Sequence, residues 1–138
     1  MSDNPSKLLL GTSWCYLCAG LVACYTGNYD IAHVPLGIWV TSLIYWSDPT
    51  NKWKRMIDMA YVQYCIWYQY YWSFHTKYVY TYILFKTLGL AMYPISVYYY
   101  RHGEFVTSSY FHAGLHILST GASIWMYMGE RQPPKLFA

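Results

Sequence analysis

Charged residues in this chain are gathered, with few exceptions, into short polar segments, and the intervals between those segments set what the chain can fold into. Gly27-Asn28-Tyr29-Asp30, Ser47 to Arg55, His75-Thr76-Lys77, Arg101-His102-Gly103-Glu104 and Gly129-Glu130-Arg131 mark off five long stretches. These cover about 8–26, 31–46, 56–74, 78–100 and 105–128. Crossing a hydrocarbon core about 30 Å thick takes about 20 helical residues, and most of these stretches approach or reach that length. The expected fold class is therefore all-α, a polytopic transmembrane helix bundle. It is one domain over 1–138 with about five spans and short loops, four spans being the nearest alternative.

Composition agrees with this partition. Only 11% of the 138 residues are charged and 56% are hydrophobic, against roughly 25% charge in ordinary soluble domains. The mean hydropathy of +0.12 is modest because 18 Tyr and 7 Trp depress it, and both residues are at home near lipid headgroups. The clusters Tyr70-Tyr71-Trp72 and Tyr98-Tyr99-Tyr100 fall near span ends, as an aromatic belt requires. The first apolar run, about 20 residues after Lys7, is too long for a signal-peptide core and reads as a retained span. Pro94 lies inside the fourth span, where it removes one backbone hydrogen bond and predicts a kink.

The net charge of +3 comes from cations scattered singly at segment ends, not from a basic stripe, so no nucleic-acid partner is expected. Lys7, Lys52, Lys54, Arg55 and Arg101 on one side outnumber Lys77, Arg131 and Lys135 on the other. The positive-inside rule then favours an N-terminus facing the cytosol. Trp46 and Trp53 bracket Pro49 in the most polar segment, and with Lys54 and Arg55 they read as an interfacial loop that anchors at the headgroups. Cys15, Cys18, Cys24 and Cys65 lie within apolar spans and read as small packing residues.

Ionisable groups inside apolar stretches carry the functional information. Asp58, Lys86, His112 and His116 are four such residues. His112 and His116, four apart on the last span, share one helical face, a spacing that lets two imidazoles meet one metal ion. Counting helical rise from the span ends brings Ser42, Trp46, Asp58 and His112 to one level, with His116 a turn deeper. Lys86 enters from the opposite side, near mid-membrane, where an ammonium snorkels toward its own interface or pairs. Asp58 has a plainer role as a first-turn carboxylate bound to Arg55 or Lys54, and the histidines as hydrogen-bond partners of neighbouring tyrosines.

The order Ser42-x-x-x-Trp46, Asp58, His112-x-x-x-His116 resembles the alkaline ceramidase and adiponectin-receptor superfamily, whose pattern is Ser-x-x-x-His, Asp, and His-x-x-x-His. That resemblance implies a zinc-dependent lipid amidase, with His112 and His116 as metal ligands and Asp58 and Ser42 stabilising the activated water. The chain departs from the pattern at Trp46, whose indole nitrogen has no free lone pair for a metal, and in having fewer than seven spans. Tyr45-Trp46, Pro49, Trp53, Arg55 and Asp58-Met59 also resemble a Tyr-Trp-x-x-Pro-x-x-x-Trp-x-Arg-x-x-Asp-Met pattern in uncharacterised small multi-span membrane proteins of large DNA viruses and protists. This implies a virion inner membrane or an organelle membrane, and carries no activity.

The leading expectation is a non-enzymatic integral membrane protein with a structural or assembly role and no cofactor. Its partners would be the lipid bilayer and other membrane protein subunits or copies of itself. Gly114, Ser119, Gly121, Ala122 and Ser123 on the last span are small enough to admit another helix, within the monomer or outside it. One alternative is an intramembrane zinc-dependent lipid hydrolase using His112, His116, Asp58 and Ser42. The other is a small transporter or channel built on Lys86, His116 and Pro94.

Overall fold

The computed structural model describes residues 5–130, so Asp3 in the polar start and Arg131 and Lys135 in the tail lie outside the described residues. Five helices occupy nearly all of it: α1 Pro5–Tyr25, α2 Tyr29–Ser47, α3 Lys52–Ser73, α4 Val79–Arg101 and α5 Phe105–Met128. No strand forms among the described residues. Each helix covers one of the five charge-poor stretches, and the largest departure in its bounds is at the start of α3.

That helix begins at Lys52 instead of near Met56, for a local reason. The Asn51 side chain accepts hydrogen bonds from the backbone N–H groups of Trp53 (3.0 Å) and Lys54 (3.3 Å), capping two donors that a helix start leaves unpaired. The polar loop contracts to the few residues around Pro49. Trp46 falls in the last turn of α2, and Trp53, Lys54 and Arg55 fall in the first turn of α3.

Two turns depend on glycine. Gly27 and Gly103 hold φ of +76° and +81°, the left-handed region that closes a helix C-terminus. The N–H of Asn28 then returns to Ala23 O (2.8 Å), and that of Glu104 to Tyr99 O (3.0 Å), satisfying carbonyls that the ends of α1 and α4 would leave free. Helix α4 continues through Pro94, and α2 through Pro35.

In packing, α5 lies against both α4 and α1, α1 against α2, and α2 against α3. Although consecutive, α3 and α4 approach each other at few backbone positions. Small residues set the close crossings. A Cβ on Gly89 would stand 3.2 Å from the Ser119 backbone nitrogen, so α4 meets α5 backbone to backbone there. Gly20 similarly accommodates Leu36, and Gly37 accommodates the Tyr61 ring. Apolar packing concentrates near the α1–α2 turn, where Ala19, Ala23, Ile31, Val34, Met126 and Tyr127 are buried together.

Elsewhere the usual distribution is reversed. Among the described residues, fifteen polar or charged residues are buried, against fourteen hydrophobic ones. Meanwhile Trp14, Leu21, Ile44, Trp67, Leu84, Phe85, Ile117 and Trp125 lie exposed. Soluble proteins expose apolar residues singly and rarely enclose so many polar ones. Among the described residues one helix, α1, is long and apolar enough to cross a membrane by length and mean hydropathy. Helices α2 to α5 fall short of that measure because Tyr, Trp, Ser, Thr and His dilute their aliphatic content.

Candidate functional site

Helix α5 organises the buried polar groups. His112, His116, Ser119, Ser123 and Tyr127 recur at intervals of four, three, four and four. At 100° per residue they fall within an arc of about 80°. Four of the five are almost wholly enclosed, His112 being half-buried. The polar face of this helix therefore points inward, a pattern the separate readings of the histidines and small residues did not join.

Lys86 on α4 meets this face at Ser119. Its Nζ is 2.5 Å from Ser119 Oγ and 2.8 Å from Gln69 Oε1 on α3, and the residue is 3% exposed. Of the two expectations for Lys86, snorkelling or pairing, its geometry matches the second: the side chain turns into the bundle because acceptors from two other helices meet it there. Neither acceptor is a carboxylate. Gln69 completes the node by donating from Nε2 to Tyr127 OH (2.8 Å) and Ser123 Oγ (3.2 Å) and accepting from Tyr82 OH at 3.3 Å. One amide thereby ties α3 to α4 and α5 where their backbones hardly meet. Such a carboxamide inside the aromatic run Trp67 to Trp72 was a visible signal, since apolar surroundings admit it only with partners.

The histidines lie further along the same face. His116 Nδ1 is 2.9 Å from Thr12 Oγ1 of α1, and its ring contacts Tyr16 edge-on, 5.3 Å between centroids. Its hydrogen-bond partner is therefore a threonine hydroxyl, while the expected tyrosine supplies a ring contact. His112 packs edge-on against both His116 (5.0 Å) and Trp46 (5.3 Å). Thr120, one turn beyond His116, has a buried hydroxyl with no protein partner.

Asp58 is buried at the start of α3 and accepts from Thr41 Oγ1 (2.6 Å) and Ser42 Oγ (3.2 Å) of α2. The expected pairing of Asp58 with Arg55 or Lys54 is replaced. Asp58 lies a turn inside the bundle, while Lys54 turns outward to Asp48, 3.2 Å away. That exposed pair has its own electrostatic signature, because hydrogen bonds from Thr50 and then Lys54 hold the Asp48 carboxyl below its ordinary range. Trp53 and Arg55 are exposed.

The structure thus joins Ser42 to Asp58 and Trp46 to His112, and His112 to His116. Chemically, the Ser42 and Asp58 pair can polarise a water molecule, and two adjacent imidazoles can bind a metal or pass a proton. Trp46 stands beside His112, where the ceramidase-like pattern has its third nitrogen, and offers an indole edge instead. Among the described residues, no three His, Cys, Asp or Glu side chains cluster closely enough to hold a metal ion. Cys15, Cys18, Cys24 and Cys65 are free thiols. No protein-family model matches the chain, and comparison with curated proteins and with solved structures likewise gives no match.

Proposed function

We propose that this chain is a non-enzymatic multi-pass membrane protein, all five helices crossing one bilayer, with a structural role in a membrane assembly. The observation that carries the reading is the reversed distribution of side chains: serines, Gln69, Lys86 and His116 inside, and tryptophan, leucine, isoleucine and phenylalanine outside. Hydrocarbon solvent rewards that arrangement, since exposed apolar groups cost nothing there and polar groups must find partners within the protein. Helix length supports it. The five helices contain 19 to 24 residues, or about 28–36 Å at 1.5 Å per residue, close to the thickness of the hydrocarbon core.

Partners in this reading are lipid and further copies or subunits in the membrane. Ser119, Ala122 and Ser123 are buried within the monomer, whereas Gly121 is exposed with nothing within 4 Å of an added Cβ. Ile117 and Trp125, four residues to either side, are exposed on the same face, so a second helix can approach closely there. The test is the mass of the protein in lipid nanodiscs taken directly from the expressing membrane. Assemblies of more than one chain are expected, shifting toward single chains with Gly121→Leu. Single chains throughout would overturn the assembly role, and recovery without membrane lipid would overturn the spanning reading.

The zinc-hydrolase alternative has one favourable observation, the contact of His112 with both His116 and Trp46. Metal analysis of purified protein discriminates. About one zinc per chain, lost on combining His112→Ala with His116→Ala, would replace the non-enzymatic reading.

A further inference from the structure

The inward face of α5 forms a column of groups that bind or pass protons. From His112 to Tyr127 it runs fifteen residues, or about 22 Å of helix axis, most of the roughly 30 Å that a membrane interior requires. Three of its members are nitrogen bases or their conjugate acids: His112, His116 and Lys86. Lys86 Nζ donates to Ser119 Oγ at 2.5 Å, Ser119 lies one turn from His116 on the same face of α5, and the Tyr16 ring lies edge-on against the His116 ring. His112 follows one turn away, half-buried, toward the end of the bundle where α3 begins. At the other end, Tyr127 joins Gln69 and Lys86 and also lines a surface cavity of about 460 Å³ together with Asn28 and Glu130.

Structural packing alone does not account for this set. Serine and threonine hydroxyls tie helices together inside membranes at little cost, but a lysine and a pair of histidines are expensive to enclose. Here all three occupy one continuous face, and the acceptors around Lys86 are neutral, so no carboxylate fixes its proton in place. Lys86 meets Ser119 one helical turn from His116, and two positive charges on neighbouring turns of an apolar interior repel each other. The other titratable groups around the column include Tyr16 on α1, Asp58 and Cys65 on α3, Tyr82 and Tyr93 on α4, and Tyr127 on α5.

We propose that the chain conducts protons along this column, with Lys86 and His116 exchanging one proton through the Ser119 hydroxyl and water that enters beside it. The transfer converts the Lys86 ammonium and neutral His116 into neutral Lys86 and the His116 imidazolium. The hydroxyl and each water molecule between them receive one proton and release another, so only N–H and O–H bonds form and break, and charge is conserved. His112 carries the proton on toward the headgroups, and the Tyr127 end supplies it from the opposite face. Thr12, bonded to His116 Nδ1, is a positioning residue that sets the orientation of the imidazole. The proposal rests on the membrane-spanning reading and adds an activity to it.

The test reconstitutes the full chain into liposomes containing a pH-sensitive dye and applies a potassium diffusion potential. Flotation on a density gradient is scored separately from flux, so failure of insertion is distinguished from failure of conduction. The wild type is expected to acidify the lumen at least tenfold faster than empty vesicles. Lys86→Met should return the rate to that of empty vesicles, Thr12→Val should lower it, and Cys24→Ser should leave it unchanged. Should Lys86→Met fail to fold, Ser119→Ala, which removes a single oxygen, carries the same expectation of lost flux. Floating wild-type protein with the flux of empty vesicles overturns the proposal, as does equal flux in the wild type and a folded Lys86→Met or Ser119→Ala variant. Protein that does not float overturns the membrane reading as well.

Discussion

Replacing Gln69 with leucine isolates the interaction on which the centre of the bundle depends. The substitution preserves approximate size and removes four hydrogen bonds: those to Lys86 at 2.8 Å, Tyr127 at 2.8 Å, Ser123 at 3.2 Å and Tyr82 at 3.3 Å. The Tyr82 hydroxyl loses its acceptor and the Lys86 ammonium keeps only Ser119 Oγ. At about 1–3 kcal/mol for each buried group short of a partner, the loss is roughly 2–6 kcal/mol. A second route uses interhelical bonds inside bilayers, which average about 0.6 kcal/mol, so four come to roughly 2.4 kcal/mol. The second value lies near the lower end of the first range, so a loss of about 2–3 kcal/mol is expected, a shift in the folding equilibrium of roughly 30- to 150-fold.

Reversible unfolding in mixed micelles, driven by an anionic detergent and followed by tryptophan fluorescence, measures this shift. The sharper observation is the combination of Gln69→Leu with Lys86→Met. Removing both partners eliminates the stranded charge, so the double variant should be more stable than the sum of the single losses predicts, by about 0.5–3 kcal/mol. Additive losses, or a Gln69→Leu cost below about 0.5 kcal/mol, would refute the claim that this amide holds the ammonium.

Gly89→Val should destabilise by about 1–3 kcal/mol in the same assay, because the new Cβ meets a backbone nitrogen of α5 that cannot move independently; an unchanged midpoint would mean that α4 and α5 do not cross at Gly89. Asp48 titrates outside the bundle, and its depressed folded pKa means that its stabilising contribution is present above the unfolded pKa. That contribution is lost as pH falls through the lower folded value. Carboxyl-carbon NMR should therefore place the Asp48 midpoint below 3.8, and Thr50→Val or Lys54→Met should move it upward. A wild-type midpoint at or above 3.8 would contradict the hydrogen-bonded geometry.

The sequence by itself determined the helices. Five charge-poor stretches between polar segments, with Gly27 and Gly103 at turns, specify five helices and most of their ends, since these signals act within a few residues. It also marked Asp58, Lys86, His112 and His116, because an ionisable group in an apolar stretch stands out without reference to any neighbour, and Ser42 through its level in the bundle and its spacing from Trp46. Partners were a different matter. Asp58 binding Thr41 and Ser42, His116 binding Thr12, and Lys86 binding Gln69 and Ser119 join positions 16 to 104 residues apart. Which helix lies beside which, and how each is rotated about its axis, decides such pairings. The start of α3 was missed for a local reason, since the Asn51 cap outweighed the polarity of Lys52 to Arg55. What only the tertiary structure decided is the direction of polarity. The five polar positions on α5 were legible as letters, but whether that face looked outward or inward depended on the rotation of α5 against α1 and α4, fixed by close contacts such as that at Gly89.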